Sequence, residues 1–88
     1  MKEQPPSKGM RPVISSTMLN FIYWLSMYYP QLLNLRSLSD ETILQLIYQF
    51  EQSRPDIERY TQQSWLNSID KLLQGDKYYK DARDILIN

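Results

Sequence analysis

The stretch LNFIYWLSMYYP, Leu19–Pro30, is crowded with aromatic and large aliphatic side chains and holds no charge. Pro30 disfavours helical geometry in the residue before it, so the sequence predicts a first helix ending at or before Tyr29. The N-cap of this helix is expected at Ser15, Ser16 or Thr17. At about 100° per residue, one face carries Met18, Phe21, Ile22, Leu25 and Tyr29. A helix that is apolar on a second side as well is typical of a central helix surrounded by others.

That second side carries Tyr23, Trp24 and Met27, and the sequence leaves three interpretations of them open. Neighbouring helices of the same chain could bury them. They could instead contact a partner protein or a second copy of this chain, because aromatic residues and Met are enriched in interface cores. Residues 12–35 hold no charge, which admits membrane contact, but a spanning helix needs about 20 apolar residues and polar side chains interrupt this one. We predict these three as partner-binding residues and expect no membrane span.

Two further helices are predicted from capping residues and apolar stripes. Ser39 is an N-cap followed by two acidic residues, which the helix dipole favours in a first turn. That helix runs to about Ser53, with a stripe made of Ile43, Leu46, Ile47 and Phe50. After a break near Thr61, the next stripe consists of Trp65, Leu66, Ile69, Leu72 and Leu73. Between these helices we expect a short helical segment over Asp56–Tyr60.

The end of the chain reads as a last helix. Gly75 fits the C′ position that terminates the preceding helix, and Asp76 caps the next one. Its apolar face contains Tyr78, Tyr79, Ala82, Ile85 and Leu86. Tyr78 and Tyr79 are our second choice of partner-binding residues. Period-2 alternation is absent, so the sequence predicts an all-α fold, a compact bundle of four to five short helices.

The N-terminus differs from the rest in composition. Residues 1–12 contain Pro5, Pro6, Gly9 and Pro12 and predict a flexible basic arm. Residues 13–88 are expected to form a single helical domain, since the length supports one small core. The formal net charge of the whole chain is zero, which is unhelpful for a nucleic-acid binder.

Residue types that are missing restrict the chemistry. The chain has no Cys and no His, so disulfides, zinc–thiolate sites and His-based acid–base catalysis are excluded. No glycine-rich phosphate loop occurs, because neither Gly9 nor Gly75 has a second glycine nearby. We therefore predict no enzyme activity, no catalytic or metal-binding residues and no cofactor. A cytoplasmic location is expected, because small secreted domains usually need disulfides.

A helix-turn-helix DNA-binding module is the alternative. Its three helices would be 40–52, 54–60 and 62–74. In the last of them Gln63, Asn67 and Lys71 form an outward polar stripe, and such side chains can contact base edges or phosphate. Any amphipathic helix has a polar stripe, however, and acidic residues such as Asp70 would lie near the phosphates.

Together these patterns favour a non-enzymatic protein–protein interaction module. We expect a small adaptor, accessory subunit or inhibitor that acts on a larger bacterial or phage machine through an aromatic and apolar helix surface. Self-association is a further option, and nucleic acid is a less favoured partner.

Overall fold

The computed structural model describes residues 11–87, with side chains described as far as Leu86. Four α-helices occur in this range: α1 Ser15–Tyr28, α2 Asp40–Ser53, α3 Gln62–Leu73 and α4 Lys80–Ile87. Short 3₁₀ turns, Pro30–Leu32, Leu35–Ser37 and Lys77–Tyr79, connect them, and residues 11–87 contain no strand. The predicted all-α bundle is therefore confirmed. The first ten residues of the predicted arm lie outside the described range.

Helix α1 begins earlier than predicted. Ile14 occupies the N-cap position with extended backbone angles and no side-chain cap, so the expected Ser or Thr cap is wrong. Thr17 is instead buried in the first turn. The reason is tertiary, because the chain before Ser15 is fixed by hydrogen bonds to other helices, as described below. At the other end, α1 stops at Tyr28, within the predicted limit of Tyr29, and Pro30 opens a 3₁₀ turn.

Helix α2 follows its sequence signals closely. The Ser39 hydroxyl accepts a hydrogen bond from the Thr42 amide at 3.2 Å, and two acidic residues occupy the first turn. The predicted stripe is buried, namely Ile43, Leu46, Ile47 and Phe50. Local capping and amphipathic periodicity thus agree with the tertiary packing.

The segment between α2 and α3 is not helical, which corrects the short helix expected over 56–60. The Arg54 guanidinium donates to both carboxylate oxygens of Asp56, at 3.1 and 3.0 Å, and closes a turn. The chain then continues without helix or strand to Thr61, whose hydroxyl caps α3. This irregular path allows both Ile57 and Tyr60 to pack on the core, which the helical alternative did not.

Helix α3 ends at a glycine that adopts a left-handed conformation. Gly75 has a φ of +89°, a backbone conformation that residues with a side chain rarely adopt. Its amide bonds the Leu72 carbonyl, and the Asp76 amide bonds the Lys71 carbonyl, which is a Schellman motif. The Asp76 carboxylate then accepts from the Tyr78 amide at 2.8 Å and starts the turn into α4.

The core is built on aromatic rings from three helices. Phe21 of α1 contacts Phe50 of α2 and Trp65 of α3, each with ring centroids 5.3 Å apart and inclined edge to face. Helix α1 also contacts α4, so it lies in the middle of the bundle. Between residues 11 and 87, no helix is long and apolar enough to cross a bilayer.

Candidate functional site

The outward side of α1 carries large exposed side chains on successive turns. Tyr23 is 52% exposed, Met27 67% and Tyr28 62%. We call these three residues the α1 outer patch. Residues 12–35, which include all of α1, contain no charged side chain. A partner would therefore find an aromatic and apolar surface that can be desolvated without burying an ion.

Trp24 lies beside this patch and is half-buried. The centroid of its ring lies 5.8 Å from that of Phe50 and 5.5 Å from that of Tyr29, so Trp24 is held by the bundle core. The sequence left open whether Trp24 is core or interface, and its packing places most of it with the core. Its ring also contacts Tyr28 at 5.9 Å, and both line an open cleft of about 320 Å³. Trp24 thus supports the patch from behind.

The second predicted pair divides between surface and interior. Tyr78 is 50% exposed, whereas Tyr79 is only 1% exposed and cannot act as a surface anchor. The two rings pack edge to face at 4.8 Å. The Tyr79 hydroxyl donates to the Val13 carbonyl at 2.6 Å, and burial raises the pKa of this phenol. Tyr79 is therefore corrected from a partner-binding residue to a structural one.

Residues 11–14 form a strap along the bundle that sequence reasoning did not foresee. The Ser64 hydroxyl donates to the Arg11 carbonyl, and the Val13 amide donates to the Ser68 hydroxyl at 2.9 Å. The Ile14 amide reaches the Tyr60 hydroxyl at 3.3 Å. Side chains thus replace the strand or helix partners that an extended backbone needs.

The side chain of Arg11 strengthens the strap. It forms an ion pair with Glu58 at 2.6 Å and lies 4.4 Å from the centroid of the Tyr60 ring. The hydrogen bond from Arg11 lowers the pKa of the Glu58 carboxyl. The arm predicted for residues 1–12 therefore overlaps the folded part of the chain at Arg11 and Pro12.

The residues of the DNA-binding alternative do share one side of α3. The Gln63 amide donates to the Asn67 side-chain oxygen at 3.0 Å, so part of their hydrogen-bonding capacity is used within the helix. Lys71 is exposed and lines a shallow groove together with Asp70. The middle helix predicted for 54–60 is absent, so α3 lacks the preceding helix of the expected helix-turn-helix.

Neither a search for metal-binding groups in the described residues nor comparison with known proteins identifies a further site. Within residues 11–87, no group of three or more acidic side chains is placed to hold a metal ion. Comparison of the chain with family models, curated proteins and solved structures finds no significant match.

Proposed function

We propose that this chain is a non-enzymatic protein–protein interaction module whose contact surface is the α1 outer patch, Tyr23, Met27 and Tyr28. The observation that supports it is the exposure of these three large side chains on a helix without any charge. Isolated exposed apolar residues are ordinary, but three large ones within two turns of an uncharged helix are typical of an interaction site.

The packing behind the patch favours tight contact. Trp24 is fixed by Phe50 and Tyr29, so the surface that carries Tyr28 is already ordered before a partner arrives. Binding to a preorganised surface loses less side-chain entropy. Tyr residues are frequent hot spots, and the adaptable Met side chain fits irregular pockets. We therefore retain Tyr23 and Met27 as anchors and add Tyr28 to them.

The proposed partner is a larger protein that offers an apolar groove, and we place the encounter in the cytoplasm. A stable interface buries about 800 Å² on each side, more than three side chains supply, so the polar surroundings of the patch would form its rim. An adaptor, an accessory subunit or an inhibitor would all work through such a contact. A second copy of this chain could occupy the same patch in a two-fold dimer.

The test uses the full chain as bait in a lysate of its host cells. The double variant Tyr23→Ala/Met27→Ala is compared with Tyr48→Ala, which removes a side chain of α2 that is 62% exposed. We expect the wild type and Tyr48→Ala to retain one stoichiometric protein, and the double variant to lose it while keeping its circular dichroism spectrum.

Two results would contradict the proposal. One is retention of the same protein by the double variant at the wild-type level. The other is salt-sensitive binding to a DNA column that disappears in Lys71→Glu, which would favour the nucleic-acid alternative. Sedimentation at two protein concentrations identifies self-association separately.

A further inference from the structure

An open pocket of about 400 Å³ lies between the 3₁₀ region after α1, the end of α3 and the helix α4. Its wall is largely aliphatic, formed by Leu33, Leu35, Leu72, Leu73 and Leu86. Asn34 and two guanidinium side chains, Arg36 and Arg83, complete the lining. The size lies in the range of small-molecule sites, which are mostly apolar and contain a few polar groups.

These two arginines differ from the other three in the chain. Arg11, Arg54 and Arg59 each form an ion pair with an acidic side chain. Within residues 11–87, neither Arg36 nor Arg83 has a carboxylate partner. The two arginines without a carboxylate partner in that range therefore line the same pocket.

Arg83 also carries an unsatisfied donor. Its Nε is buried and has no hydrogen-bond partner, although native structures normally satisfy buried donors. The guanidinium packs beside Gly75, where a side-chain Cβ would lie 3.5 Å from Nη1. Arg36 is oriented by a hydrogen bond to the Leu73 carbonyl at the end of α3, and its remaining N–H groups are available.

Asp84, which follows Arg83 in sequence, and Asp76, which follows Gly75, are engaged elsewhere. The Asp84 carboxylate pairs with Lys80 at 2.9 Å, and Asp76 accepts from the Tyr78 amide. The carbonyl end of α3 disfavours an anion, but the contact of Arg36 with the Leu73 carbonyl offsets part of that effect. The local charge thus favours a negatively charged ligand group.

We propose that this pocket binds an aliphatic carboxylate, with the carboxylate held by Arg36 and Arg83 and the aliphatic chain packed on the leucines. Guanidinium groups bind carboxylates through paired, charge-assisted hydrogen bonds. The leucine lining favours a ligand with an apolar portion, which a bare inorganic anion lacks. Such a ligand is either a free medium-chain acid or the C-terminal residue of a polypeptide that ends in Leu or Ile. This site is independent of the α1 outer patch.

Calorimetric titration of the full chain separates the two sources. The probes are decanoate and the peptide acid N-acetyl-Ala-Leu, each paired with a neutral counterpart, decanamide and N-acetyl-Ala-Leu-amide. We expect at least one acid to bind. Its neutral counterpart should bind at least about tenfold more weakly, because a charge-assisted hydrogen bond is lost. Preference for decanoate identifies a free acid, and preference for the peptide identifies a polypeptide C-terminus.

Variants locate the binding. Arg83→Met and Arg36→Met should each weaken the binding of the preferred acid about tenfold or more. Arg54→Met, whose ion pair with Asp56 lies outside this pocket, should leave it unchanged. If Arg36→Met unfolds through loss of its contact with α3, Arg83→Met and Arg83→Gln carry the test. Failure of both acids to bind, equal binding of acid and neutral probes, or full binding by folded Arg83→Met would overturn the proposal.

Discussion

Replacing Tyr79 by Phe removes one buried oxygen atom and tests how the strap of residues 11–14 is held. The Tyr79 hydroxyl donates to the Val13 carbonyl at 2.6 Å across 66 positions of sequence. Val13 is 0% exposed and Tyr79 1% exposed, so water cannot easily replace the missing donor. The substitution therefore leaves a buried carbonyl oxygen without this partner while keeping the ring and its packing.

The expected loss of unfolding free energy follows from this one buried hydrogen bond. Leaving a buried acceptor unsatisfied costs about 1–3 kcal/mol of unfolding free energy. A domain of this length has roughly 4–13 kcal/mol in total, so the loss is a large fraction. At about 4–8 °C per kcal/mol, a loss of about 2 kcal/mol lowers the Tm by roughly 8–16 °C.

The assay is urea unfolding followed by circular dichroism and by Trp fluorescence. The matched control is Tyr78→Phe, which alters the adjacent, half-exposed tyrosine and should change the free energy of unfolding by less than about 0.5 kcal/mol. Equal stability of the Tyr79→Phe and Tyr78→Phe variants would mean that the hydrogen bond from Tyr79 to Val13 does not stabilise the fold.

Alkaline pH gives an independent check on the same side chain. Because burial raises the pKa of Tyr79 in the folded state, its phenol ionises first in the unfolded chain as the pH passes about 10. Its contribution to stability is thus complete below that pH and is lost as the pH rises through the folded pKa. The wild type should lose more stability between about pH 9 and 11 than Tyr79→Phe does. Parallel pH profiles for the two proteins would contradict this expectation.

Three further predictions follow from local contacts. Trp24→Ala should lower the free energy of unfolding by about 1.5–3 kcal/mol in a denaturant titration, since roughly half of a core tryptophan's packing is removed; no loss would mean that Trp24 is not held by the core. Gly75→Ala should cost about 1–2 kcal/mol because φ is +89° there, and calorimetry that shows a stabilised variant would contradict this. NMR titration should give Glu58 a pKa below the ordinary value of a glutamate, because Arg11 donates to its carboxylate, and Arg11→Met should raise it toward that value. The same Glu58 pKa in the wild type and in Arg11→Met would exclude the ion pair in solution.

Capping and periodicity predicted much of this fold because those signals are local. Ser39 and Gly75 each act within a few residues of their own position, and both were placed correctly as helix cap and helix terminator. The stripe on α2 is buried as its spacing indicates. Such features survive in the tertiary structure because the core reinforces the same local preference.

The strap and the loop before α3 could not be predicted in the same way. The partners of the strap, Ser64, Ser68, Tyr60 and Tyr79, are 46 to 66 positions away from it in sequence. A pair of serines four residues apart on the apolar side of a helix was the one signal, and it is weak. Tyr79 was misassigned for the same reason, since a tyrosine on an apolar face can end either at the rim or in the core.

The candidate site was predicted in part. Tyr23 and Met27 were singled out because they fall opposite the core face of α1, and both are exposed. Tyr28 was missed because its angular position lies at the edge between the two faces. The sequence alone could not predict that Arg36 and Arg83 line one pocket. They are 47 positions apart and come to the same pocket only where α4 returns to the end of α3.

Site-specific photocrosslinking tests whether the α1 outer patch is the surface that contacts a partner protein. Benzoylphenylalanine is placed at position 23 or 27, in the α1 outer patch, and at position 48 on α2, where the native tyrosine is just as exposed. Mass spectrometry of the products distinguishes a larger protein from a second copy of the chain. We expect one specific adduct from positions 23 and 27 and none from 48. Equal adducts from all three positions, or an adduct from 48 alone, would contradict it.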